Sequence, residues 1–135
     1  MAIEAVHQGE SGPKVATLHK GLLHLIRNQK GIIAETRDKL EQMLADDVAT
    51  QSFGWATASA VGIFQYQFVN RRDIPKKVKE QYPVPLLRNV DGTGNGDVDD
   101  ATAGALNWLV REARGIASAK VLATRTAARG HVGRA

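Results

Sequence analysis

Four histidines, His7, His19, His24 and His131, are the first candidates for chemistry in this chain. None stands in an HxxxH or HExxH pair. His19 and His24 are five apart, about 500° around a helix, and so on differing faces. That spacing does not suit a zinc hydrolase. No serine sits in a G-x-S-x-G elbow, and no G-x-x-x-x-G-K-[ST] phosphate loop occurs. No two acids stand out as a catalytic dyad. Cysteine is absent, which removes a thiol nucleophile, a disulfide scaffold and a Cys-ligated zinc site. The chain therefore reads as a non-enzyme, with no metal and no cofactor assigned.

Binding chemistry is better represented. Trp55 and Tyr66 are the aromatic residues least explained by a core pattern. An exposed aromatic face offers apolar area with a polar edge, the surface on which sugar rings stack. The alternative is partial burial of both against neighbouring loops. Gln65 lies one step off an apolar stripe, placed to hydrogen-bond either a loop backbone or a ligand. Arg71, Arg72, Lys76, Lys77 and Lys79, interrupted by Asp73, form a basic cluster. It suits carboxylates or an anionic polymer, or is simply a solvated loop.

These residues must be positioned by helices. Pro13 suits a first helical position after Ser11 or Gly12, and Val15, Leu18, Leu22, Leu25 and Ile26 make one stripe of a helix ending near Asn28–Gly31. A second helix is expected over residues 32–49, with Leu40, Met43, Leu44 and Val48 on its face. Asp46 and Asp47 oppose its dipole there, so it is expected to stop near them. A third helix covers 56–70, with Ala60, Val61, Phe64 and Phe68 on one side. Residues 71–88 read as irregular around Pro75, Pro83 and Pro85, with at most a short helix over 75–81. After a Gly- and Asp-rich loop, a fourth helix runs over 100–114 from an Asp99 or Asp100 cap, with Ala105, Leu106, Leu109 and Val110 inward and Trp108 in or near the core. Residues 1–12 read as a polar lead-in. No strand pairs are evident, so the expected class is all-α.

The chain has 135 residues, 43% hydrophobic and 24% charged, the composition of an ordinary folded domain. Its net charge of +4 is uneven: residues 111–135 carry six basic groups and one acid, while residues 1–110 carry 12 basic groups and 13 acids. A nucleic-acid binder carries its basic patch on the folded part, so nucleic acid is not an expected partner. No stretch approaches the roughly 18 apolar residues of a membrane span. No Sec-type signal is recognised near the N-terminus. The domain is expected over residues 1–114, with a weakly apolar, basic helical extension or linker over 115–135 that includes Ile116, Val121 and Leu122.

Two segments repeat. Phe53-Gly54-Trp55-Ala56-Thr57-Ala58-Ser59-Ala60-Val61 aligns with Val98-Asp99-Asp100-Ala101-Thr102-Ala103-Gly104-Ala105-Leu106 at an offset of 45. Each has an apolar plug before a tight turn, a Thr in the first helical turn, then a small residue beside a large aliphatic one. The Thr hydroxyl can serve a free amide or a loop carbonyl.

With the helix Gly9-Glu10-Ser11-Gly12-Pro13-Lys14-Val15-Ala16-Thr17-Leu18-His19, the run Phe53-Gly54-x-x-Thr57-x-x-Ala60-Val61-x-x-Phe64-Gln65 and the ending Asn95-Gly96-Asp97-Val98-x-x-x-Thr102-x-x-Ala105-Leu106, the chain resembles the peptidoglycan-binding-like domain family over residues 6–113. His19 stands where that family's pattern has Gln, Asp99 replaces a Gly, and the connections 29–51 and 66–94 are longer. The resemblance implies an orthogonal three-helix bundle, here with an added helix and long inserted loops. It implies Val15, Leu18, Phe53, Gly54, Thr57, Phe64, Thr102 and Leu106 as the structural motif. It further implies a non-catalytic module that targets a larger secreted, phage or toxin-type polypeptide to cell-wall peptidoglycan, outside the cell or in its envelope by a route without a Sec signal in this segment.

Trp55, Gln65, Tyr66, Arg71 and Arg72 are then the candidate ligand contacts, the basic cluster meeting peptide stems or an anionic wall polymer. The alternative is a protein–protein docking or assembly domain on the same fold. A minor reading is a calcium-dependent adhesion module. Asp91–Asp99 places oxygen side chains at alternate positions, but Thr102 stands where a calcium loop has its bidentate Glu. The family's turn accounts for that loop without a metal.

Overall fold

The computed structural model describes residues 2–28, 34–85 and 94–130, the side chains of 116–130 excepted. The chain is all-α: α1 Pro13–Asn28, α2 Ala34–Thr50, α3 Trp55–Asn70, α4 Lys76–Gln81 and α5 Asp100–Gly130, with no strand among the described residues. No helix among them is long and apolar enough to cross a membrane. The expected stop at Gly31, His131, Asp91–Thr93 and the side chains of Ile116, Val121 and Leu122 lie outside what is described. The α5 backbone runs through Arg114 to Gly130 without a break.

The apolar stripes explain the packing. α1 contributes Val15, Leu18, Leu22, Leu25 and Ile26; α3 contributes Ala60, Val61, Phe64 and Phe68; α5 contributes Ala105, Leu106, Leu109 and Val110, all buried. α1 packs on α2, α3 and α5, and α3 also meets α2 and α5. α2 adds Leu40 and Leu44, with Met43 and Val48 partly covered. Each large apolar side chain so enclosed contributes about 1.5–3 kcal/mol. Phe68 anchors the irregular stretch, meeting Tyr82 and Trp108 edge-on with centroids 6.5 and 6.2 Å away.

One expectation is corrected. Residues 1–12 are not a polar lead-in, because Ile3 and Val6 are buried in the core. Asn107 of α5 clasps this segment, accepting from the Ile3 amide at 2.8 Å and donating to the Ile3 carbonyl at 2.9 Å. Val6 exchanges both backbone hydrogen bonds with Val98, while Gly9 donates to Phe53 O and Phe53 donates to Glu10 O. The strap therefore ties together the two turns that precede α3 and α5.

α2 ends at Thr50, one residue past the expected bound and three beyond Asp47. Asp47 turns toward the start of the next helix, where its Oδ2 accepts from Gly54 N at 3.1 Å and Thr57 N at 3.0 Å. A carboxylate unfavourable to one helix end is favourable at the N-terminus of another.

Candidate functional site

The repeated turn-into-helix units form matching locks. Phe53 and Val98 are buried plugs, and Thr57 and Thr102 are buried polar residues. A carboxylate accepts from each Thr amide: Asp47 for Thr57, and Asp99 at 2.7 Å for Thr102. Each hydroxyl also meets a buried side chain from an earlier helix. His19 Nε2 lies 2.8 Å from Thr57 Oγ1, and Gln65 Nε2 donates to Thr102 Oγ1 at 3.0 Å.

The proton bookkeeping fixes the His19 tautomer. Thr57 Oγ1 donates to Asp47 at 2.7 Å, so it must accept from His19 Nε2–H. His19 Nδ1 is left buried without a partner. Burial pushes His19 below its ordinary value, against the pull of Asp47. Burial also pushes Asp47 up, but hydrogen bonds from the Thr57 hydroxyl, Thr57 N and Gly54 N, with the nearby His19, bring it below the usual carboxylate range. A second repeat becomes visible here: Val15-x-x-Leu18-His19 and Val61-x-x-Phe64-Gln65 each carry the polar residue that holds the Thr of the following unit.

Gln65 is a candidate ligand contact that the structure reassigns. It is 1% exposed, and its amide nitrogen is shared among Asn95 Oδ1, Asp97 O and Thr102 Oγ1, each 3.0 Å away. Its oxygen accepts from Gly96 N at 2.9 Å. Gln65 therefore shapes the loop before α5 and has no free face for a ligand. Gly96 has φ +79, and a Cβ there would lie 2.8 Å from Ala58 O. A Cβ on Gly94 would strike the Gln65 side chain. These glycines let the loop lie against α3.

That contact creates a groove of about 340 Å³, with Ala58, Ser59, Gly62 and Ile63 on the α3 side and Gly94, Asn95 and Gly96 opposite. Trp55 lines it and is 71% exposed. Tyr66, 44% exposed, lies eleven residues further along α3 on nearly the same face, about 16 Å away by helical rise. Among the described residues, no charged side chain lines the groove.

The basic cluster does not act as one surface. Arg71, with a side chain 17% exposed, forms a bidentate pair with Asp73 at 2.8 and 2.6 Å and lies 3.8 Å from Glu112. The Asp73 hydrogen bond raises its pKa, burial opposes this, and the charges of Asp73 and Glu112 add to the rise. Lys79 Nζ donates to Val69 O and Arg71 O, capping the end of α3. Arg71 is thus a structural bridge rather than an open ligand contact, while Arg72, Lys76 and Lys77 remain exposed.

The described part of the Asp-rich loop has internal partners as well. Asp97 takes His7 Nδ1 at 2.7 Å and Gln8 N at 3.0 Å, and Asp99 caps α5. The Asp97 hydrogen bond, then its charge, raises the His7 pKa, with Glu10 and Asp99 adding to it and desolvation opposing. Among the described residues no three His, Cys, Asp or Glu side chains gather as a metal cluster.

Sequence spacing brought Trp55 and Tyr66 to notice. It did not reveal the Asp47 cap or the Asn107 clasp, which depend on residues distant in the chain. The sequence signal for an internal Gln65 is its equivalence to His19 in the second repeat. No protein-family model, curated protein or solved structure matches the chain.

Proposed function

We propose that this chain is a non-catalytic binding module for the glycan of bacterial peptidoglycan, carried within a larger polypeptide that it holds at the wall. The observation that carries this reading is Trp55, a large apolar side chain left open beside a groove whose described lining residues are all uncharged. An aromatic face gives a sugar ring apolar contact, and Ser59 and Asn95 offer polar edges nearby. An uncharged lining favours the neutral sugar backbone over anionic wall polymers. Holding an attached domain at its substrate raises local concentration without any new catalytic chemistry. The paired turn-into-helix units around one core support the further proposal that the bundle is of the peptidoglycan-binding-like type.

The test is a pull-down with purified insoluble peptidoglycan. Wild type is expected in the pellet. Trp55→Ala and Tyr66→Ala are expected to bind about tenfold more weakly or worse, as aromatic anchors do. Both side chains are exposed, so neither variant should disturb folding. Wild type remaining in the supernatant removes the glycan reading and leaves the docking alternative.

A further inference from the structure

A second recess lies between α1 and α5, away from the groove. Its volume is about 150 Å³. Ile3, Gly21 and Val110 give it an apolar lining, and Lys20 and Arg114 add two cations. Neither cation has an ion-pair partner within 4.0 Å among the described residues. No acid is among the described residues that line the recess. Glu112, close to Arg114 in sequence, faces Arg71 instead. The remaining polar groups already have partners: Thr17 donates to Pro13 O, and Asn107 clasps Ile3.

His24, one turn beyond Lys20 on α1, lies outside the recess lining but feels the charge of Arg114. Its Nδ1 lies 3.4 Å from Asn28 Nδ2, a weak hydrogen bond in which the amide donates. The ring proton therefore belongs on Nε2, which is buried without a partner. An unmet buried donor is unfavourable. Burial first, and then the positive charge of Arg114, hold His24 below its ordinary value. The recess thus sets two cations without ion-pair partners beside an apolar lining, with no acid among its described lining residues.

We propose that this recess binds a small aliphatic carboxylate, its oxygens between Lys20 and Arg114 and its short alkyl part against Ile3, Gly21 and Val110. A guanidinium matches a carboxylate through two parallel hydrogen bonds. The apolar lining distinguishes such a ligand from inorganic phosphate, which has no group that gains from leaving water there. The volume limits the ligand to a few heavy atoms.

Amide NMR titration with butyrate, alongside inorganic phosphate, tests the assignment. Butyrate is expected to shift the Gly21 and Val110 amides saturably, and phosphate is not. Lys20→Gln and Arg114→Gln should each weaken butyrate binding about tenfold; both residues are exposed, so the fold should persist. The His24 ring should titrate at higher pH with butyrate bound, because the anion offsets Arg114. Three results would each overturn the proposal: no saturation with butyrate, equal saturation with phosphate, or variants that bind as wild type does.

Discussion

Replacing Asp47 by alanine removes three hydrogen bonds at the junction of α2 and α3. Those to Gly54 N and Thr57 N cap a helix start, and such a cap contributes about 1 kcal/mol. The bond from the Thr57 hydroxyl ends on a charged oxygen, and bonds of that kind contribute about 1.5–3 kcal/mol. Two effects reduce the total. Ser52 O, 3.4 Å from the Thr57 hydroxyl, can take over that proton, and the half-buried carboxylate no longer has to be desolvated. The expected net loss is about 2–3 kcal/mol, or roughly 8–12 °C in melting temperature for a domain of this size. Urea unfolding measures it directly, with the midpoint falling and the slope unchanged. Asp47→Asn keeps an acceptor and should lose about half as much. Asp46→Ala, an exposed neighbour, should stay within about 0.5 kcal/mol of wild type. If Asp47→Ala is no worse than Asp46→Ala, the cap is not a significant support of the fold.

Two further outcomes follow from the same locks. His19 and His24 titrate below their ordinary values in the fold, so beneath about pH 6.5 the unfolded chain takes protons that the native state refuses. Stability should therefore fall as pH drops through that window, and above it neither histidine contributes a slope. Urea midpoints at pH 8 and pH 5 should differ, and His19→Gln, which keeps a donor for Thr57, should shrink the difference; an unchanged difference refutes the assignment to His19. Gln65→Ala should lower stability by about 2–3 kcal/mol, because it strips a buried partner from Gly96 N and Thr102. It should also speed hydrogen exchange at the Gly96 amide, and unchanged exchange there would show that Gln65 does not hold the loop.

Much of the helical scaffold was legible because it rests on periodicity within one segment. The stripe from Val15 to Ile26 and the repeated plug-and-Thr units have spacings that point inward wherever the helices end up. Ile3 and Val6 escaped because two apolar residues in a short extended segment have no period to detect. The Asp47 cap on α3 escaped because the residue's local dipole cost was visible and its distant benefit was not. Gln65 sits beside Phe64, and only the loop folding back over α3 determines that its amide faces inward. Trp55 was the reverse case: its place off the apolar stripe of α3 marked it as a candidate exposed aromatic, and it is open to water.

The Asn107 clasp joins residues 104 positions apart. A ribosome adding about 5–20 residues per second completes that distance in roughly 5–20 s. For that interval Ile3 and Val6 have been made but lack their α5 partner and the Val98 pairing. A segment made before the described helices is therefore seated only once α5 exists. Synthesis halted before α5 would leave two greasy side chains uncovered on an otherwise helical intermediate, a natural handle for a chaperone.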